Sequence, residues 1–119
     1  MTITLYGIAN CDAVKKARTW LAAEEIEFAF HDLKRDGLSQ ALLGEWLRSA
    51  GWEVLLNRKG TTWRRLDDDA RAAVTDAASA SALMLAQPSL VKRPVVRWAD
   101  GSISVGFDPA LFAQASRRR

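Results

Sequence analysis

The first third of the chain shows three successive hydrophobic patterns. Residues 2–6 are mostly β-branched or apolar, as in a buried strand, and a turn follows over residues 7–10. Residues 26–31 alternate with period two and predict a second strand. Between them, residues 12–24 carry apolar side chains at the spacing of an amphipathic helix, at Val14, Ala17 and Leu21. This order predicts a βαβ unit with parallel strands and a right-handed crossover.

The pattern then becomes helical. A turn is predicted at residues 36–37, and Ser39 is expected to cap a helix whose apolar stripe extends over residues 42–50. Gly51 is expected to end that helix. Residues 53–62 predict a short apolar segment followed by an exposed loop.

An alanine-rich helix is expected next. The acids at 67–69 suit its first turn because they complement the helix dipole, and Gln87-Pro88 ends it. Whether the serines within 79–81 divide this helix into two is left open by propensity.

The C-terminal part predicts a β-hairpin and a last helix. Strands are expected over 95–98 and 102–105, joined by the turn residues 99–101. Asp108-Pro109 suits the start of a short helix. The whole order favours a single α/β domain over 1–119 with a thioredoxin-like fold, in which βαβ and ββα halves form a mixed four-stranded sheet. The core is expected at about 1–35 and 88–117, with an all-helical insertion at about 36–87.

Composition fits one soluble globular domain. The 119 residues are 49% hydrophobic and 26% charged, and one cysteine cannot form an internal disulfide. The N-terminus has no basic signal region and no apolar run is long enough to span a membrane, so we expect a cytoplasmic protein without membrane contact. Lys and Arg number 17 against 14 acids, but Arg117–Arg119 supply the difference, so the tail is interpreted as solubilising and no nucleic-acid partner is expected.

Cys11 is the residue best placed to carry out chemistry, since it falls at or just before the first helical turn. A thiolate suits that position, although a buried, inert thiol is the alternative. Val14 occupies the place of the second thiol of a dithiol motif, and Ala17 the place of the arginine in a Cys-x5-Arg phosphate loop. His31 is the single histidine and is interpreted as a half-buried strand residue. One Cys and one His are too few for a metal site.

A nucleophilic Cys11 needs a nearby cation, because a helix end alone ionises a thiol only weakly. Arg93, just before Pro94, is the first candidate, and Arg58 and Lys59 are the second. A cis Pro94 would turn the chain beside Cys11 and leave backbone groups free for a bound peptide or thiol. A trans Pro94 that starts a strand, with a solvated Arg93, is the alternative.

Three segments resemble the arsenate reductase (ArsC)/Spx family, most closely its YffB branch. They are YGIANCDAVKKA over 6–17, LLNRKGTTWR over 55–64 and PSLVKRP over 88–94. The resemblance implies a thioredoxin-like fold with a helical insertion, a nucleophilic Cys11, an Arg93 that binds an oxyanion or thiolate, and a cis Pro94.

The sequence also departs from that family. Glutathione- and glutaredoxin-coupled arsenate reductases hold the oxyanion with three arginines. Arg93 matches one, Asn57 stands where a second is expected, with Arg58 displaced by one, and residues 106–108 lack the third. Spx-type regulators of RNA polymerase commonly use a Cys-x-x-Cys switch, which Val14 removes.

These features favour a monomeric, glutathione-dependent thiol reductase or thiol–disulfide oxidoreductase that uses one cysteine, without a metal. Its expected partners are glutathione as co-substrate, a small thiol or disulfide, and glutaredoxin. An Spx-like protein that binds RNA polymerase and an arsenate reductase are the alternatives. The expected site consists of the nucleophile Cys11 and the binding residues Asn10, Arg58, Lys59, Lys92, Arg93 and Pro94.

Overall fold

A computed structural model describes residues 2–118. Its strands are β1 (Ile3–Gly7), β2 (Phe28–Asp32), β3 (Val95–Arg97) and β4 (Ile103–Val105). Its α-helices are α1 (Asp12–Ala23), α2 (Gln40–Ala50), α3 (Trp52–Leu55), α4 (Thr61–Arg65), α5 (Asp68–Ala72), α6 (Ala77–Ala86) and α7 (Pro109–Ala115), and a 3-10 helix covers Pro88–Leu90. The chain forms two compact units, one from residues up to Gly37 and from Arg93 onward, the other from Leu38–Lys92.

The first unit is built on a mixed four-stranded sheet in the order β2-β1-β3-β4. β1 and β2 are parallel, with Ile3 paired to Phe28, whereas β3 is antiparallel to both β1 and β4. The βαβ and ββα halves and the α/β thioredoxin-like fold are therefore confirmed. The apolar faces of α1 and α7 contribute to the buried cluster of this unit, which consists of Ile3, Leu5, Val14, Ala17, Leu21, Val96, Trp98, Phe112 and Ala115.

The second strand starts two residues later than its alternating pattern indicates. Glu25 has a positive φ of 57°, and the Ile26 N–H donates to the Leu21 carbonyl at 2.9 Å. Ile26 is thus engaged in closing the end of α1, and β2 begins only at Phe28. The local hydrogen bonds of a helix terminus outweigh strand propensity here.

The second unit is helical, with one isolated antiparallel bridge between Leu56 and Val91. Ser39 caps α2 by accepting from the Leu42 N–H at 3.1 Å, and Gly51, with a φ of 85°, ends it, as expected. Helix α2 packs on α3 and α6. The fully buried side chains of this unit include Leu43, Trp46, Leu55, Met84 and Leu90.

The alanine-rich segment is divided into two helices, a point that propensity left open. The break lies between α5 and α6, and not at the serines within 79–81. Asp76 caps α6 by accepting from the Ser79 N–H at 2.9 Å, while Ser79 Oγ accepts from the Asp76 N–H at 3.1 Å. Ser79 is therefore part of a helix start, because a reciprocal capping box outweighs its weak helix propensity.

Residues 53–62 also have more helix than predicted. The apolar part lies mainly in α3, and the exposed loop is limited to residues 57–60 before α4 begins at Thr61. In the first unit, Asp108 caps α7 through the Ala110 N–H at 3.0 Å, as expected. Arg117 and Arg118 are exposed, and Arg119 of the predicted tail lies outside the described residues. No helix within residues 2–118 is long and apolar enough to cross a membrane.

Candidate functional site

Cys11 and the Arg93-Pro94 pair lie at the same end of the sheet. β1 ends at Gly7, and the chain reaches Cys11 through a short turn that contains the exposed Asn10. β3 is antiparallel to β1 and pairs Val95 with Tyr6, so the residues just before β3 lie where β1 ends. The topology thus brings the predicted nucleophile and its first candidate cation to one end of the first unit.

Cys11 is the N-cap residue of α1. Its carbonyl accepts the Lys15 N–H at 2.9 Å, but its side chain makes no capping hydrogen bond. The side chain is half-buried and packs against the apolar cluster of the first unit. The residue is therefore not fully enclosed and its side chain is not engaged in capping the helix, which is compatible with a reactive thiol.

Gly7 and Val14 set the position of this helix start. A Cβ on Gly7 would lie 2.6 Å from Val14 Cγ2, closer than atoms approach in proteins, so a glycine is required for α1 to sit this close to β1. Val14 is fully buried. The position that a second redox thiol would occupy is therefore part of the core. Sequence reasoning missed the contact between Gly7 and Val14 because it depends on tertiary packing.

The Arg93-Pro94 peptide bond is cis, as the family resemblance implies. Pro94 is buried, and its carbonyl accepts the Gly106 N–H at 2.8 Å, so one of the two acceptor positions of that carbonyl is taken. Arg93 is half-buried, and its Nε is enclosed without a hydrogen-bond partner among the described residues. Buried guanidinium N–H groups are almost always paired, so this one fits an anion that is bound during function.

A second cation at this end of the sheet is already paired. Asp32 ends β2 opposite Gly7, and its Oδ1 accepts from the Lys34 and Arg35 N–H groups. Arg35 forms an ion pair with Asp36 at 3.0 Å, and its side-chain hydrogen bond lowers the pKa of Asp36. The guanidinium of Arg35 therefore has a carboxylate of its own, which leaves Arg93 as the better candidate for an anion.

Arg58, Lys59 and Lys92 belong to the second unit, where they are exposed and line one pocket of about 260 Å³. The remaining lining residues are Glu53, Val54, Leu56 and Asn57. Asn57 Oδ1 accepts the Lys59 N–H at 3.1 Å and closes the loop, while the Arg58 guanidinium lies 5.7 Å from the Trp52 ring centre. The sequence analysis did not include Glu53 in this group, although its place near a basic loop was a usable signal.

His31 has a structural role. It lies in β2, its Nε2 is 2.8 Å from the Gly37 carbonyl, and its ring lies 5.0 Å from that of Tyr6. Because a carbonyl oxygen only accepts, Nε2 carries a proton and donates it, which anchors the ring to residue 37. Within residues 2–118, no group of three or more His, Cys, Asp or Glu side chains is arranged to hold a metal ion.

The fold and site define a class of thioredoxin-like proteins with a cysteine at the start of the first helix and a cis-proline before the third strand. The ArsC family model matches residues 6–115, and the chain belongs to the ArsC family. Membership supports an ArsC-like thiol reductase role.

Individual relatives are consistent with this assignment. The YffB protein matches with a TM-score of 0.90 at 47% identity, covering 96% of this chain and 98% of that protein. An arsenate reductase (ArsC) related protein from Brucella melitensis matches with a TM-score of 0.76 at 51% identity, covering 99% of this chain and 97% of that protein. The global transcriptional regulator Spx of Streptococcus pyogenes serotype M3 is 28% identical over 97 residues, 79% of this chain and 70% of that protein.

Proposed function

We propose that this protein is a glutathione-dependent thiol–disulfide oxidoreductase in which Cys11 is the nucleophile. One observation carries the proposal. Cys11, a half-buried residue whose side chain is not engaged in capping, lies at the same end of the sheet as Arg93, whose buried Nε has no partner among the described residues. Cationic side chains close to a cysteine favour its thiolate, and we propose that Arg93 acts on Cys11 in this way.

The chemistry proceeds in two exchanges. The Cys11 thiolate attacks the glutathione sulfur of a mixed disulfide, the substrate thiolate leaves, and a Cys11–glutathione disulfide forms. The thiolate of a second glutathione then attacks that disulfide, so that oxidised glutathione forms and the Cys11 thiolate is regenerated. Each departing thiolate takes a proton from solvent according to its own acidity. An external thiol is needed because the chain has no second cysteine.

The other site residues have binding roles in this proposal. Arg93 stabilises the Cys11 thiolate, and Asn10 and the Pro94 segment contact the glutathione backbone. We also propose that Arg58, Lys59 and Lys92, which line one pocket of the second unit, attract glutathione carboxylates. We further propose a cytoplasmic monomer that acts with glutathione, and with glutaredoxin as an alternative electron donor.

Arsenate reduction is a weaker candidate. Asn57 lines the pocket where the family resemblance leads us to expect an arginine, and it is engaged with the Lys59 N–H. A regulator of the Spx type is the second candidate, favoured by the match to Spx over 79% of the chain. It predicts that RNA polymerase subunits are recovered with the protein, equally for the wild type and for Cys11→Ser.

Mass spectrometry after incubation with oxidised glutathione near pH 7 tests the proposal. The wild-type protein should gain one glutathione, located on Cys11 by peptide mapping, and reduced glutathione should remove it. Cys11→Ser is the matched control and should gain none. A wild-type protein that stays unmodified under these conditions would show that the proposed function is wrong.

A further inference from the structure

A shallow groove of about 490 Å³ lies along the exposed side of α1, beginning at Lys15, one helical turn after Cys11. Its lining residues are Lys15, Lys16, Thr19, Trp20, Ala23 and Phe107. A cleft of this size is in the range that proteins use to bind ligands. Nothing in the proposed exchange chemistry of glutathione at Cys11 uses it.

The floor of the groove is aromatic and held in place by the core. Trp20 and Phe107 are both half-buried, and both pack edge-to-face on the buried Phe112, at 5.7 and 4.9 Å between ring centres. Such contacts hold the two rings in place, so they present a preordered apolar surface that would lose little entropy on contact with a partner.

The rim of the groove is basic. Lys15 and Lys16 are exposed, and neither forms an ion pair with another described residue. Asp12, one turn before Lys16, is outside ion-pair distance of it. No acidic side chain lines the groove, so its charge complements a partner that carries carboxylates next to an apolar anchor.

The groove begins at the same end of the sheet as Cys11. Phe107 follows β4, which runs parallel to β1, so it lies at the end of the sheet where Cys11 follows β1. Both side chains pack against the same buried cluster. With a rise of about 1.5 Å per helical residue, Lys15 and Lys16 lie roughly 6–8 Å along the axis from Cys11, and Trp20 roughly 14 Å.

We propose that this groove recognises the protein segment that surrounds a glutathionylated cysteine, with acidic residues and one large apolar residue beside it. An extended peptide advances about 3.4 Å per residue, which places the acids roughly two positions, and the apolar residue roughly four positions, from the reacting cysteine. The inference rests on the proposed function and deepens it. The substrate class is an acidic protein mixed disulfide rather than a small-molecule disulfide.

Matched synthetic peptides test the proposal. Each carries one glutathionylated cysteine, with one test residue two positions away and another four positions away. The two test residues are Glu and Leu, Lys and Leu, or Glu and Ser, in that order. Each pair is placed before the cysteine in one peptide and after it in another. Binding to the Cys11→Ser protein is measured by fluorescence anisotropy at low ionic strength, which separates docking from chemistry. The Glu–Leu peptide should bind about tenfold more tightly than the Lys–Leu peptide, and added salt should reduce the difference.

Charge reversal provides the decisive comparison. In the Lys15→Glu/Lys16→Glu variant the ratio of turnover between the Glu–Leu and Lys–Leu peptides should invert. Turnover of a neutral small disulfide by the same variant reports its folding and thiol reactivity, and because a change in thiol reactivity affects both peptides equally, only the ratio between them is interpreted. Phe107→Ala should remove the preference for Leu over Ser and leave the charge preference in place.

Three results would overturn the inference. The first is equal binding of all peptides. The second is a ratio of turnover between the Glu–Leu and Lys–Leu peptides that is unchanged in the double variant. The third is a dimer in analytical ultracentrifugation that binds none of the peptides. If Cys11 forms no mixed disulfide at all, the proposed function fails, yet selective binding to the Cys11→Ser protein still reports on the groove. The two failures are therefore distinguishable.

Discussion

Replacement of Gly7 by alanine tests how the start of α1 is positioned. The new Cβ would lie 2.6 Å from Val14 Cγ2 and 3.2 Å from Val14 Cγ1, whereas ordinary contact begins at 3.4 Å. Gly7 and Val14 are both buried, so neither the backbone nor the valine has free space in which to move. Overpacking of this kind costs about 1–3 kcal/mol, and we expect Gly7→Ala to lower the free energy of unfolding by that amount.

A double-mutant cycle isolates the contact. Val14→Ala alone should cost about 1–3 kcal/mol because it removes buried methyl groups. It also makes room for the new Cβ, so the double variant should be more stable than the sum of the single effects predicts, by about 1–2 kcal/mol. Urea unfolding followed by circular dichroism measures all four proteins. Strict additivity, or a Gly7→Ala protein as stable as the wild type, would refute the packing argument.

Two further substitutions test other parts of the fold. The Ser79 backbone and side chain lower the pKa of Asp76, so its cap stabilises the folded state above the ordinary carboxyl value of 3.8, and this contribution is lost as the pH falls below it. Asp76→Ala should therefore lower Tm at pH 7, and its difference in Tm from the wild type should be smaller at pH 3. Asp76→Asn should retain most of the cap. An equal difference in Tm at both pH values would contradict this. The fully buried Trp98 donates its indole N–H to Ser104 Oγ at 2.9 Å, so Ser104→Ala should cost about 1–2 kcal/mol in urea unfolding, and Ser104→Thr less. An unchanged urea midpoint in Ser104→Ala would show that this hydrogen bond contributes nothing.

The parts of the fold that sequence reasoning anticipated are those with local signals. Ser39 and Asp108 each form a capping hydrogen bond within three residues along the chain, and Gly51 supplies the positive φ that ends α2. The break before α6 is equally local, but the run of alanines concealed it, and propensity left open whether the serines within 79–81 divide the helix. A short helix such as α3 has too few residues to show a period.

The candidate site was only partly accessible from the sequence. Cys11 was identified because it falls between a strand and a helix, and Arg93-Pro94 because it lies just before the predicted hairpin. The family resemblance then favoured the cis form of Pro94. The missing hydrogen-bond partner of Arg93 Nε and the pairing of Arg35 with Asp36 depend on which side chains the fold brings together. The groove along α1 was missed because Phe107 reaches it from the other end of the chain.

The central claim is that the Arg93 guanidinium holds the Cys11 sulfur as an anion. The most direct measurement is the second-order rate of Cys11 alkylation by iodoacetamide at pH 7, since this neutral reagent reports the thiolate and not the binding of glutathione. Arg93→Ala should react about tenfold or more slowly than the wild type. Arg93→Lys should retain much of the rate, and Arg48→Ala, on the exposed side of α2, serves as the control that should leave it unchanged. An Arg93→Ala protein that is folded and reacts at the wild-type rate would contradict the claim.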